Sequence, residues 1–139
     1  MNLRNLYNRL ASALIWEGKI DSARRVLDRC IAEMPDSRVK YDFFMVPAVE
    51  GYYKTGDTAK ANAIAEKLKQ YTGEELAYYF SFPDSDLKAM DLTLQESLFT
   101  VQRLGTVVRE AKQEQLSGTL DSILNKYYDL YLQKVYEAR

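Results

Sequence analysis

The side chains best suited to chemistry in this sequence are three closely spaced carboxylate pairs. They are Glu74/Glu75, Asp84/Asp86 and Glu110/Glu114. Glycoside hydrolysis or metal-assisted chemistry needs two carboxylates that converge in one pocket. These pairs instead fall in expected turns or on polar helix faces, where carboxylates usually face water or cap helices. We therefore expect no catalytic site, no metal site and no cofactor.

The residue types that are absent restrict the chemistry further. The sequence contains no His, which excludes Ser-His and Cys-His nucleophile pairs and every metal site that uses imidazole. The single Cys, Cys30, cannot form an intramolecular disulfide or a thiolate zinc cluster. Its small interior position in a helical pattern predicts a buried, inert thiol. We predict that the chain is not an enzyme.

Composition and charge favour a folded domain that does not bind nucleic acid. The 139 residues are 47% hydrophobic and 28% charged, with a net charge of −1, whereas nucleic-acid binders usually carry a basic face. Arg24, Arg25 and Arg29 form a basic run, but Asp21 and Asp28 lie at neutralising helical spacings, which predicts a solvated face. No apolar run approaches the ~20 residues that cross a bilayer, and the N-terminus has no signal-peptide core. A free-standing chain would be cytoplasmic.

The spacing around Gly18 resembles a tetratricopeptide (TPR) helix-turn-helix unit. Its pattern of large and small residues is carried by Tyr7, Leu10, Ala11, Leu14, Ala23, Leu27, Cys30 and Pro35. Counting from Gly56 yields a weaker second copy, and the two glycines lie 38 positions apart instead of the 34 of this repeat. Units of this kind stack because they cannot bury their apolar faces alone, and the stack presents a surface to a partner.

Periodicity predicts helices for nearly the whole chain. The first unit has helices at ~3–17, with an apolar stripe of Leu3, Leu6, Tyr7, Leu10, Ala11, Leu14 and Ile15, and at ~22–34. The second unit starts near Tyr41–Phe44, where Pro47 either begins or kinks the helix. It continues at ~58–71 and ends at Thr72-Gly73.

The remaining residues predict two longer helices. We expect residues 74–82 to form a short aromatic helix or turn. A helix at ~86–115 contains Gly105, for which close helix packing is the expected reason, and a last helix at 119–138 follows a break at Ser117-Gly118. We therefore expect an all-α, TPR-like right-handed superhelix of two helix-turn-helix units, capped by a C-terminal pair of longer helices. Residues 1–83 hold the repeats and 84–139 the cap of the same domain.

The register of the repeat identifies one face of each first helix as the candidate partner groove. Its residues are Asn5, Asn8, Ser12, Ile15 and Trp16, then Phe43, Val46, Glu50, Tyr53 and Lys54. This mixture of apolar and polar side chains suits an extended peptide or a helix of a protein partner. The alternative is that the C-terminal helices fill the groove.

The last helix is apolar on more than one side and is the candidate oligomer surface. The relevant residues are Tyr127, Tyr128, Tyr131, Val135 and Tyr136. A homodimer or docking surface is one interpretation, and it makes a structural dimerisation module the alternative function. The other interpretation is a core helix whose Tyr hydroxyls reach water.

Two stretches resemble a particular family more closely than they resemble generic repeats. They run over 9–30 and 41–56, and the second includes Asp42-Phe43-Phe44-Met45-Val46-Pro47. They resemble the soluble C-terminal tail of large multi-spanning membrane proteins of Bacteroidetes-type bacteria, a family similar to membrane-embedded protein O-glycosyltransferases. The resemblance implies a tail tethered to the inner membrane through an N-terminal part outside this chain. It would face the periplasm and recruit or position a protein partner, with sugar transfer performed elsewhere.

Overall fold

The computed structural model describes residues 2–137, and all regular structure in that range is helical. A 3-10 turn at Phe43–Met45 precedes the third helix, and a π-helical turn at Leu132–Tyr136 follows the seventh. The helices are α1 (Leu3–Trp16), α2 (Ile20–Glu33), α3 (Val46–Lys54), α4 (Thr58–Tyr79), α5 (Asp84–Ala89), α6 (Asp91–Glu110) and α7 (Glu114–Tyr131). The all-α class predicted from the sequence is confirmed. Among the described residues, no helix combines the length and apolar character needed to cross a membrane.

The chain divides into two compact units within α4. Unit 1 comprises the residues up to Leu68, and unit 2 comprises those from Lys69 onward. Unit 1 contains α1, α2, α3 and the first half of α4, and unit 2 contains the second half of α4 with α5, α6 and α7.

The two turn glycines of unit 1 end their helices in the same way. After α1, the Gly18 amide donates to the Ile15 carbonyl (2.9 Å) and the Lys19 amide donates to the Leu14 carbonyl (2.8 Å). This pair of bonds is the Schellman ending, and it needs the left-handed backbone that Gly18 adopts at φ 79°. Gly56 repeats the arrangement after α3 at φ 87°, so the predicted role of both glycines is confirmed.

Helices α1 and α2 form an antiparallel hairpin. The Tyr7 hydroxyl, near the start of α1, donates to the Glu33 carboxylate at the end of α2. Ala11, Ala23 and Cys30 are all fully buried, as the small-residue pattern predicted.

The second hairpin lies beside the first with each helix next to its equivalent. Asn8 of α1 donates to the carbonyl of Phe44 before α3 (2.7 Å), and Arg24 near the start of α2 donates to the carbonyl of Thr55 after α3. Because α2 begins where α1 ends, α1 and α3 run in the same direction. Pro47 occupies the first turn of α3, where its missing amide costs nothing, so it begins this helix and does not kink it.

Two salt bridges show that α2 and α4 run in the same direction. Lys60 Nζ lies 2.9 Å from the Asp28 carboxylate, and Lys67 Nζ lies 3.4 Å from that of Asp36. Positions 28 and 36 therefore run alongside positions 60 and 67, and the two helices are parallel neighbours within unit 1.

The buried face of α1 differs from its predicted apolar stripe. Arg4, Asn8 and Ala11 are buried, whereas Leu3, Leu6 and Leu10 are about half exposed. The polar pair is buried because both side chains donate to backbone carbonyls of the connector and turn that precede α3.

Unit 2 is built on the antiparallel pair α6 and α7. Arg109 near the end of α6 contacts Asp121 in α7 (2.7 Å), and the Tyr131 hydroxyl near the end of α7 donates to Asp91 at the start of α6 (2.6 Å). The side of α6 that faces α7 includes the buried Leu104 and Gly105.

Three predicted helix boundaries in the C-terminal half are wrong. Helix α4 continues past Thr72-Gly73 to Tyr79, because Leu68, Thr72 and Leu76 form a buried stripe at four-residue spacing whose packing outweighs the cost of one helical Gly, about 1 kcal/mol. The segment assigned to a short aromatic helix or turn therefore belongs largely to α4.

The other two errors concern α6 and α7. The expected single helix at ~86–115 is divided at Met90 into α5 and α6. Met90 is both the C-cap of α5 and the N-cap of α6. Helix α7 begins at Glu114 and passes through Ser117-Gly118, since Ser117 is buried and its amide donates to the Gln113 carbonyl (2.9 Å). The break lies instead at Lys112, at φ 61°.

Two helical glycines differ in the space around them, and this predicts opposite effects of alanine. A Cβ at Gly51 would lie 3.0 Å from Leu27 Cδ1 in the core, whereas a Cβ at Gly105 would meet its nearest atoms at 3.8 and 3.9 Å, which is ordinary contact. We expect Gly51→Ala to destabilise by about 1–2 kcal/mol through overpacking and Gly105→Ala to stabilise by up to about 1 kcal/mol through helix propensity. Urea unfolding followed by circular dichroism measures both. A Gly51→Ala protein as stable as Gly105→Ala would contradict the packing at Leu27.

Candidate functional site

A buried arginine anchors the connector between the two hairpins of unit 1. Arg4 is only 2% exposed. Its Nη1 donates to the Lys40 carbonyl (3.0 Å), and its Nη2 donates to the carbonyls of Met34 (3.0 Å) and Val39. The guanidinium also lies over the Tyr41 ring, 5.1 Å from its centroid. One side chain thus binds the connector at three points.

This anchoring explains how the longer connector is accommodated. An arginine carries five N–H donors in a planar fork, so it satisfies several carbonyls at once. Helix α2 ends at Glu33 and α3 begins at Val46, so the carbonyls that Arg4 binds lie in the segment where the spacing exceeds that of a standard repeat. Sequence reasoning missed this role. The available signal was a polar pair, Arg4 and Asn8, at four-residue spacing within an amphipathic helix.

Eight of the ten predicted groove residues are exposed or half-buried, and two are buried. Asn8 (3% exposed) and Val46 (2% exposed) belong to the core and so contribute no exposed surface. Asn5, Ser12, Trp16, Phe43 and Lys54 are exposed, and Ile15, Glu50 and Tyr53 are half-buried. These eight residues are called the α1/α3 face below.

Trp16 is the most prominent side chain of the α1/α3 face. It is the last residue of α1 and is 91% exposed. Since α1 and α3 run in the same direction, Trp16 lies toward the same end of the pair as Tyr53 and Lys54. Ser12, one helical turn before Trp16 on the same side of α1, is small and polar. The indole is therefore accessible from several directions.

The charges and hydroxyl of the α3 side of this face are engaged locally. Lys54 Nζ lies 3.4 Å from the Glu50 carboxylate at i,i+4 spacing. The Tyr53 hydroxyl donates to Asn62 Oδ1 (2.5 Å), which fixes the ring against α4. Burial, with a smaller contribution from the Glu66 charge, raises the pKa of Tyr53. The face is therefore close to neutral, with an aromatic end.

The candidate oligomer residues are mostly buried. Tyr127, Tyr131 and Val135 lie in the core of unit 2, and Tyr127 stacks on Phe80 with ring centroids 5.7 Å apart. Tyr128 and Tyr136 are exposed. The Tyr131 hydroxyl donates to Asp91, so this buried tyrosine of the helix has a polar partner for its hydroxyl.

A polar cluster joins α2, α3 and α4 on another side of unit 1. The hydroxyl of the fully buried Tyr52 donates to Asp28 Oδ1 (2.7 Å), which Lys60 also contacts. A cavity of about 470 Å³ borders this cluster. Its lining residues are Asp28, Ile31, Ala32, Tyr41, Tyr52, Lys60, Ala63, Ile64 and Lys67.

The cluster shifts the pKa values of its members in opposite directions. Burial alone would raise the pKa of Asp28, but hydrogen bonds from Tyr52 and Lys60 outweigh it and lower the pKa. Burial raises the pKa of Tyr52 far above its ordinary value, and the hydrogen bond to Asp28 adds to the increase. The charged Asp28 and neutral Tyr52 are therefore the native forms.

The basic run of α2 is less solvated than predicted. Arg24 is half-buried and donates to the Thr55 carbonyl, because the turn at Gly56 brings the end of α3 against α2. Arg25 and Arg29 are exposed, and they contact Ser22 (3.1 Å) and Glu33 (2.8 Å).

The carboxylate pairs considered above face water, since Glu74, Asp84, Asp86, Glu110 and Glu114 are exposed and Glu75 is half-buried. Within residues 2–137, no three or more His, Cys, Asp or Glu side chains are grouped so as to hold a metal ion. Cys30 is buried, and that burial raises the pKa of its thiol.

Comparison with known proteins identified no relative of this chain. No protein-family model matches the sequence, and no curated protein or solved structure matches it significantly.

The Arg4 contacts predict a large effect of one substitution on stability. Arg4→Met keeps the apolar stem but leaves the connector carbonyls without their donors. Each hydrogen bond from the charged guanidinium contributes about 1.5–3 kcal/mol, and the freed carbonyls partly regain water, so we expect a total loss of about 3 kcal/mol. Arg9→Met is the matched control, since Arg9 is exposed on the same helix and should change stability by less than about 0.5 kcal/mol. Equal urea midpoints for the two variants would contradict the anchoring role.

The buried Tyr52 predicts a loss of stability at alkaline pH. Its folded pKa is raised above 10, so its contribution is complete below pH 10 and declines as the pH rises toward the folded value. We expect Tyr52→Phe to lose about 1 kcal/mol at neutral pH with the hydrogen bond, and to show a shallower decline above about pH 10 than the wild type. Urea unfolding from neutral to alkaline pH measures the slope, and the exposed Tyr128→Phe is the control. Identical slopes for all three proteins would count against this.

Proposed function

We propose that this chain is a non-catalytic protein–protein interaction domain and that it recruits a protein partner through the α1/α3 face. Unit 1 serves as a TPR-like pair of helix-turn-helix units in this proposal. Its support is the matching Gly18 and Gly56 turns and the parallel neighbours α1/α3 and α2/α4. Equivalent helices that stack side by side are how TPR arrays present a binding surface.

The exposed indole of Trp16 is the observation that carries the proposal. Tryptophan is highly buried on average in folded proteins, and it is among the residues most enriched in interface hot spots. A Trp that is 91% exposed at the end of α1 leaves a large apolar surface in water. Contact with a partner removes that surface from water, which is a favourable term of about 25 cal/mol per Å² of apolar area.

The electrostatics of the face indicate the kind of partner. Glu50 and Lys54 already neutralise each other, so the face offers little net attraction to a strongly charged ligand. The aromatic side chains Trp16, Phe43 and Tyr53 suit an apolar anchor, and the polar Asn5 and Ser12 suit backbone groups. An extended, largely uncharged peptide segment with one apolar anchor fits this arrangement.

The resemblance of 9–30 and 41–56 places this role in a cellular context. We propose that the chain is the soluble tail of a bacterial membrane protein similar to O-glycosyltransferases, tethered to the inner membrane and facing the periplasm. The tail would hold a substrate protein or partner subunit while the membrane-embedded part transfers the sugar.

Trp16→Ala tests the recruiting role without disturbing the core. We expect it to keep wild-type thermal stability and to weaken partner binding about thirtyfold, because hot-spot aromatics contribute about 2 kcal/mol or more. The partner is first captured from a membrane extract by the wild-type chain, and its affinity for each variant is then measured by calorimetry. Tyr78→Ala is the matched control, since Tyr78 is an exposed aromatic (62%) in unit 2. Equal affinities for the Trp16→Ala and Tyr78→Ala proteins would exclude the α1/α3 face.

A further inference from the structure

Unit 2 carries an open groove along the exposed side of α6 and α7. Its volume is about 700 Å³, and its lining residues are Leu92, Gln95, Glu96, Leu98, Phe99, Gln102, Leu124, Asn125, Tyr128 and Tyr131. Leu92 is 75% exposed and Phe99 52%, so the apolar part of the groove faces water. Glu96 is the only formally charged residue in this lining.

The exposed side of α6 repeats with a seven-residue period. Leu92, Phe99 and Thr106 are spaced by seven, as are Glu96 and Arg103. Residues seven apart lie on the same side of a helix, so these positions form one stripe with Phe99 at its centre. The stripe differs from the buried side of α6, which packs on α7 within unit 2.

The charges on this stripe are self-complementary. Glu96 lies three residues before Phe99 and Arg103 lies four residues after it. When a second α6 runs antiparallel with its Phe99 opposite the first, Glu96 of each copy lies within about one residue rise (~1.5 Å along the axis) of Arg103 of the other, so the two side chains can meet. A two-fold axis at Phe99 thus produces two equivalent ion pairs, which is the signature of an isologous contact.

We infer that a second copy of this chain covers the groove, with the two α6 helices antiparallel about Phe99. The paired α6–α7 hairpins then form a four-helix bundle, in which Phe99, Leu92 and Tyr128 leave water. This interface differs from one formed by the last helix alone, since Tyr127, Tyr131 and Val135 are already buried within unit 2. The inference is independent of the recruiting role, because it uses only residues of unit 2.

The area of this face lies at the low end for a specific dimer interface. Helix α6 has 20 residues and α7 has 18, so the hairpin presents a face roughly 27 Å long and 20 Å wide. Two such faces bury on the order of 1,100 Å² in total, close to the lower limit of about 1,000 Å² for specific interfaces. We therefore expect a reversible dimer with a dissociation constant on the order of micromolar.

The first test is the concentration dependence of the mass of the full chain. Sedimentation equilibrium across the micromolar range should show the wild type passing from monomer to dimer. Phe99→Asp should remain monomeric at every concentration, with circular dichroism confirming that it folds. A wild type that stays monomeric throughout would overturn the inference.

The second test uses the two charges and does not depend on the core. In a Glu96→Arg dimer, an arginine faces an arginine in both former ion pairs. In an Arg103→Glu dimer, a glutamate faces a glutamate in both. Each variant alone should therefore dimerise about tenfold more weakly. A mixture of the two restores both ion pairs, and we expect a heterodimer as strong as the wild-type dimer. A mixture as weak as its components would rule out the antiparallel register.

Tyr136→Glu distinguishes this interface from one on the last helix. Tyr136 is 60% exposed and lies outside the groove lining, so its charge should leave dimerisation unchanged. Loss of the dimer in Tyr136→Glu with retention in Phe99→Asp would place the contact on the last helix and refute the α6 axis.

Discussion

The donation of the Arg4 guanidinium to three connector carbonyls is the contact on which the arrangement of unit 1 depends. The connector between the hairpins is longer than a standard repeat turn, and its carbonyls must find donors as the chain folds over α1. A hydrogen bond to a charged group contributes about 1.5–3 kcal/mol, so loss of the three Arg4 bonds would disfavour this arrangement. With the connector held at Met34, Val39 and Lys40, α3 begins at a defined position beside α1. The α1/α3 face depends on α3 starting at this fixed place beside α1.

The two units offer surfaces of different chemistry. The face of unit 1 combines an exposed indole with polar groups and a neutralised charge pair, which suits a heterologous segment of another protein. The groove of unit 2 combines an apolar centre with charges that complement their own copy, which suits a symmetric contact. Recruitment through one and self-association through the other would place two recruiting faces in each assembly. The Asp28–Tyr52–Lys60 cluster stabilises unit 1, since it joins α2, α3 and α4.

Two of the three errors in helix boundaries share one physical cause. Gly73 and the Ser117-Gly118 pair are weak helix formers, and local propensity alone ends a helix at such positions. In the folded chain, buried stripes that include Leu68 and Leu76, or Leu116 and Leu120, continue on either side of them and keep the helix intact. Lys112 shows the converse, because a residue with good helix propensity adopts the left-handed conformation that reverses the chain between α6 and α7.

The all-α class, the glycine turns and the burial of Ala11, Ala23 and Cys30 could be predicted from the amino-acid sequence alone. These features depend on spacing along the chain and on the backbone freedom of single residues, which are local properties. Only the folded chain shows that Arg4 and Asn8 are buried while Leu3, Leu6 and Leu10 remain half exposed. The same holds for Tyr127, Tyr131 and Val135 of the Tyr-rich helix, which lie in the core of unit 2. Periodicity cannot reveal such outcomes, because a buried polar side chain is stable only when partners more than thirty residues away, such as Lys40 and Phe44, supply the hydrogen bonds.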